Sequence, residues 1–100
     1  MKFGLCESEL FIIINKVVIP LEQKGAIIWC FGSRARGDFK KFSDIDLMVE
    51  AKIDLAKEIS QISDELIESQ IPFKVDIIEL SKFAESYLKN FEQEKIRFEK

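Results

Sequence analysis

The chain has 100 residues, 47% hydrophobic and 33% charged, with a formal net charge of −3. These totals fit one globular domain spanning residues 1–100 rather than a disordered chain, and they argue against a general nucleic-acid binder, which would carry an overall basic excess, while leaving room for local basic patches. Histidine is absent, which removes Ser-His-Asp and Cys-His catalysis and histidine-ligated metals and leaves carboxylates, hydroxyls, Lys and Arg to carry any chemistry.

The N-terminal stretch Met1 to Cys6 lacks the apolar core of a signal peptide, and no apolar run approaches the ~18 residues of a membrane span. A cytoplasmic protein without membrane contact is expected. Leu10, Ile13, Ile14, Val17, Val18 and Leu21 then recur at helical spacing, one apolar stripe of an amphipathic helix. Ser8 is the expected N-cap and Gly25 the expected stop. Pro20 conflicts with that helix, because its ring meets the carbonyl of Lys16 and it has no N–H to donate. A kink or an early end is expected there.

The run AIIWCF, Ala26 to Phe31, is short, unbroken and rich in strand formers, so it reads as a strand buried on both faces. Cys30 within it reads as a small buried hydrophobe, and with only Cys6 as a distant second cysteine there is neither a disulfide framework nor a zinc signature. The segment GSRARGDFKKFS is polar and punctuated by glycine, a loop or short helix. DIDLMVE alternates, with Asp44, Asp46 and Met48 on one face and Ile45, Leu47 and Val49 on the other, as in a strand. Leu55, Ile59, Ile62 and Leu66 mark a second amphipathic helix that Asp54 can cap. After Pro72, FKVDIIEL reads as a third strand, with Phe73, Val75 and Ile77 opposite Lys74, Asp76 and Ile78. Ser81 is the expected cap of a third helix reaching about Phe91. The tail KIRFEK suits either a strand or a fraying helix. The order is α-β-turn-β-α-β-α, a small sheet with helices packed against one face.

Two features ask for chemistry. Asp44 and Asp46 lie two apart on a strand, so their carboxylates share a face with Cα atoms ~6.5–7 Å apart. At an effective dielectric of 20 such charges repel by about 2.5 kcal/mol. A fold either leaves this pair at a solvated strand end, the commoner outcome for a lone Asp-x-Asp, or neutralises it with a cation. If the strand holding Asp76 lies alongside, three carboxylates converge as hard ligands suited to Mg²⁺ or Mn²⁺; otherwise Asp76 pairs with Lys74. The second feature is Gly32–Ser33 directly after the buried strand. Glycine allows a positive φ and close approach of a ligand, successive amides form an anion nest, and the Ser33 hydroxyl can donate to a phosphate oxygen. Arg34, Arg36, Lys40 and Lys41 supply cationic side chains nearby. Each element alone suits an ordinary turn or a solvated loop; their order is what points to a nucleotide.

That order resembles the DNA polymerase beta-like nucleotidyltransferase superfamily, and FGSRARGDFKKFSDIDLMVE is similar to the version in minimal nucleotidyltransferase (MNT) proteins, where G-S-x-A-R-G precedes S-D-I-D-L. The downstream VDII matches the usual third carboxylate strand. The resemblance implies a small α/β (α+β) nucleotidyltransferase fold with a mixed sheet. It implies that Gly32 and Ser33 hold the β- and γ-phosphates of ATP or another nucleoside triphosphate, and that Arg36 steadies the triphosphate or the turn. It also implies that Asp44 and Asp46 bind two Mg²⁺ ions, or Mn²⁺, and that Asp76 completes the second metal site and helps deprotonate the attacking hydroxyl. MNT proteins are often paired with a helical HEPN ribonuclease as its antitoxin and transfer AMP to a tyrosine on it, so a HEPN-domain partner is implied, in a homo- or hetero-oligomer. Two other readings stay open: a binding module that masks its partner without catalysis, and the catalytic subunit of a two-chain small-molecule nucleotidyltransferase.

Overall fold

The computed structural model describes residues 2–99. The first amphipathic stripe forms one helical path in three parts: α1 (Glu7–Ile13), a π-helical segment (Ile14–Val18) and α2 (Ile19–Glu22). Pro20 does not end the helix. Instead the turn before it widens, so that Ile19 N–H donates to the Ile14 carbonyl. A wider turn relieves the clash between the proline ring and the Lys16 carbonyl and removes the need for the missing donor. The N-cap is Cys6 rather than Ser8, and the Glu9 carboxylate accepts from the Cys6 N–H at 2.9 Å. Gly25, at φ 89°, closes the path: its N–H donates to the Glu22 carbonyl at 2.9 Å, and Ala26 N–H to the Leu21 carbonyl at 3.1 Å. This double bond around a left-handed residue is a Schellman stop.

Four strands follow the order β3-β2-β1-β4. The central strand β1 (Ile27–Phe31) pairs antiparallel with β2 (Ile45–Glu50) and with β4 (Ile96–Arg97), while β2 runs parallel to β3 (Val75–Glu79). The sheet is therefore mixed. The parallel pair needs a crossover, and α4 (Ala56–Ile67) supplies it. Leu55, Ile59, Ile62 and Leu66 are buried as their spacing predicts, and the Asp54 carboxylate accepts from Ala56 N–H at 2.9 Å across the start of α4. The ambiguous tail resolves as the short strand β4, because Phe98 just beyond it is fully buried and stacks on Phe3 with ring centroids 5.1 Å apart.

The two faces of the sheet differ. Ile28 and Cys30 of β1 and Ile45, Leu47 and Val49 of β2 are buried with Ile13, Val17, Val18 and Leu21 under α1, α2 and α4. The other face carries Ile27, Trp29 and Phe31 of β1, and these are only half-covered. β1 is thus not equally buried on both sides, as an unbroken apolar run suggests. Its open side is partly shielded by the C-terminal segment, where Phe83 and Phe91 set their rings edge-on to Phe31 at 5.8 and 5.4 Å. That segment is not one helix capped by Ser81. It is two short 3-10 turns (Leu80–Lys82 and Glu85–Tyr87) and then α5 (Leu88–Glu94), with Phe83 and Ala84 extended between them. Among the described residues no helix is long and apolar enough to cross a membrane.

Candidate functional site

β1 ends against a turn that only glycine can make. Gly32 stands at φ 76° and ψ −158°, and Ser33 then opens the four-residue helix α3 (Ser33–Arg36), which Gly37 closes at φ 95°. A Cβ on Gly32 would lie 2.5 Å from the Asp46 Oδ2 atom. The missing side chain thus lets the turn backbone rest against a carboxylate of the neighbouring strand.

The register sets the acids out in a row. Phe31 faces Asp46 across the antiparallel pair, and Asp46 faces Asp76 across the parallel pair. Side chains at paired positions share a face, so Asp46 and Asp76 emerge side by side on the sheet face opposite the helices. Asp44 lies one residue before β2 and is exposed, at the same end of the sheet. The carboxyl of Asp46 is held above its ordinary range, first by burial and then by the charges of Asp76 and Asp44, with Lys74 and Arg36 opposing. Among the described residues no three acids close on a common centre; the Asp76 carboxylate lies 3.7 Å from Lys74 Nζ at the surface. All donors in the row are hard carboxylate oxygens, and a half-buried carboxylate crowded by like charge is what a divalent cation relieves. The donor set therefore fits Mg²⁺ or Mn²⁺.

The basic residues of the turn divide. Arg36 donates to Asp38 at 3.1 Å and to Glu94 at 2.8 Å, tying α3 to α5. Arg34, expected among the cations available to a ligand, is 3% exposed and points into the fold. Its guanidinium donates to the carbonyls of Ser43 (3.0 Å), Phe3 (3.0 Å) and Lys41 (3.4 Å) and lies over the rings of Phe73 and Phe39 at 4.3 and 5.1 Å. Arg34 thus pins the loop that leads into Asp44, holding the carbonyl immediately before it. Lys40 and Lys41 remain exposed on that loop. Nothing in a single sequence marks Arg34 for this role, since its partners are backbone carbonyls and rings far along the chain.

Cys30 behaves as a buried hydrophobe. Burial, and next the charge of Asp46, push its thiol up to about 12, with Arg34 opposing. Beside Gly32 the structure also opens a groove of about 330 Å³ toward α5, where Phe31 of the motif is joined by Phe83, Tyr87 and Phe91, which the motif does not include.

Likeness to known proteins places the chain in a family and a fold. The nucleotidyltransferase domain family model matches residues 13–98. The probable protein adenylyltransferase MntA of Haemophilus influenzae is 35% identical over 77 residues, which cover 74% of this chain and 66% of that protein. The chain thus spans just under two thirds of that relative's length. A crystal structure of a toxin–antitoxin with AMP-PNP superposes with a TM-score of 0.63 at 22% identity, covering 85% of this chain and 71% of the other. An MntA–HpeT toxin–antitoxin carrying two Asp-to-Glu substitutions superposes with a TM-score of 0.62 at 20% identity over the same shares. At these identities the structural likeness speaks for the fold.

Proposed function

The chain belongs to the nucleotidyltransferase domain family, and from that premise we propose that it transfers a nucleoside monophosphate, AMP by preference, from a nucleoside triphosphate to a hydroxyl on a partner protein. The observation that carries this is the contact between turn and acid row: the Gly32 backbone rests on Asp46, and Asp76 stands beside Asp46 on the next strand. A phosphate chain lying along the turn passes directly over these carboxylates.

Each residue then has a defined task. The amides of the Gly32–Ser33 turn and the Ser33 hydroxyl hold the β- and γ-phosphates. Arg36 steadies the turn through Asp38 and Glu94. Asp44, Asp46 and Asp76 would hold Mg²⁺ or Mn²⁺, which when bound lowers the pKa of the attacking hydroxyl and neutralises charge on the leaving pyrophosphate. An Asp76 carboxylate oxygen takes up the proton of that hydroxyl. The new bond joins the acceptor oxygen to the α-phosphorus, the bond from that phosphorus to the bridging oxygen breaks, and pyrophosphate departs. The protein contributes mainly position and fixed charge, as in phosphoryl transfer generally.

A protein acceptor is supported by the likeness to a probable protein adenylyltransferase and to toxin–antitoxin structures. On this reading the partner is a helical HEPN-domain toxin, the acceptor is a tyrosine of it, and the chain is an antitoxin that acts by modification. Purified protein incubated with Mg²⁺, α-phosphate-labelled ATP and its co-purifying partner is expected to label the partner, and the Asp44→Asn/Asp46→Asn double variant to leave it unlabelled. A partner bound and inhibited but never labelled would overturn the enzymatic reading in favour of a masking module.

A further inference from the structure

The groove beside Gly32 differs in kind from the charged row next to it. Its walls include Phe31, Gly32, Arg36, Phe83, Tyr87 and Asn90. Phe91 is 1% exposed and forms the floor with Phe31, their rings edge-to-face at 5.4 Å. Tyr87 is of another sort: its ring lies 6.1 Å from that of Phe83, yet it is 59% exposed. It is the chain's only tyrosine, and the core does not use it. Asn90, one helical turn on, adds an uncharged amide with both donor and acceptor. The Arg36–Glu94 ion pair closes the far wall.

A π-lined slot of this size, with one open aromatic face and one neutral amide, suits a flat heteroaromatic ring rather than a phosphate or a cation. The slot and the phosphate-holding turn share Gly32, so a ligand whose phosphates lie on the turn reaches the slot through its own sugar. We propose that this groove takes the base of the nucleotide, with Tyr87 and Phe83 stacking on its face and Asn90 reading its edge. The proposal rests on the nucleotide reading given above and adds to it the residues that separate ATP from a bare triphosphate.

Calorimetric titration separates the two. In Mg²⁺, an ATP analogue that resists cleavage between its α- and β-phosphates is compared with inorganic tripolyphosphate. The analogue is expected to bind at least about tenfold more tightly, the usual scale of base–aromatic stacking. Tyr87→Ala should erase that margin and leave tripolyphosphate binding unchanged, while Tyr87→Phe, which keeps the ring, retains it. Asn90→Ala should narrow the preference among the four bases. Equal affinity of wild type for both ligands overturns the base slot while leaving the phosphate turn intact, as does a Tyr87→Ala variant that keeps the margin. Loss of partner binding with unchanged nucleotide affinity would instead assign Tyr87 to the protein interface. If neither ligand binds, the phosphate turn falls and the slot with it.

Discussion

Replacing Asp46 by Asn should make the metal-free protein more stable. Asp46 and Asp76 are register partners on adjacent strands, whose backbones lie about 4.8 Å apart. Two charges about 5.5 Å apart at an effective dielectric of 20 repel by about 3 kcal/mol. Lys74, 3.7 Å from Asp76, offsets part of this, and the Asp76 side chain is 41% exposed, so solvent screening leaves a net cost of about 1 kcal/mol. Asn keeps the shape and removes the charge. In EDTA at neutral pH, the thermal midpoint of Asp46→Asn should therefore lie about 4–8 °C above that of wild type. Adding Mg²⁺ should raise the wild-type midpoint and leave the variant where it was. Both are read from one set of melting curves. A variant that melts lower than wild type in EDTA would refute the reasoning, since Asp46 would then be accepting structural hydrogen bonds rather than bearing unrelieved charge.

Arg34→Met strips three backbone carbonyls of their charged donor in a buried site and should cost about 3–5 kcal/mol, read as a fall in the urea midpoint. Gly32→Ala forces a Cβ against Asp46 at positive φ; beyond a backbone strain of about 1–2 kcal/mol, it should abolish nucleotide transfer in the labelling assay. Asp54→Ala removes the acceptor for Ala56 N–H, the main reason the Asp54 carboxyl sits below its ordinary range, with Lys82 next. Wild type should therefore be the more stable above the ordinary carboxylate range, and the difference should disappear as pH falls through the lowered pKa. Iodoacetamide at mild alkaline pH should modify only Cys6 in the native protein and both cysteines in denaturant, because Cys30 is buried with its thiol raised to about 12.

Periodic and motif-borne features are legible in the sequence itself. The stripe Leu55, Ile59, Ile62 and Leu66 is set by the helix repeat alone, and the alternation Ile45, Leu47, Val49 by the strand repeat, so burial follows directly. That Asp76 stands beside Asp46 stayed conditional in the sequence, because a helical crossover permits a parallel neighbour without fixing its register. What escaped depends on contacts distant in sequence. Ser81 offers good capping chemistry, yet Phe83 sits extended because its ring packs on Phe31, some fifty positions upstream. Arg34 looks like a solvated cation until Phe3, Phe39 and Phe73 gather round it. Pro20 signals a break, but a local change of helical pitch accommodates it. The groove of Phe83, Tyr87 and Asn90 arises only where the C-terminal segment folds back over β1.

The stacking of Phe3 on Phe98 brings the two ends of the described chain together, with Lys2 Nζ 3.4 Å from the Glu99 carbonyl. Two phenylalanines almost a hundred positions apart thus hold the sheet edge beside β4 from both sides. The same Phe3 gives its carbonyl to the Arg34 guanidinium, which also holds the carbonyl just before Asp44. Packing at the sheet edge and the placing of the acid row are therefore mechanically one feature, joined through a single buried cation.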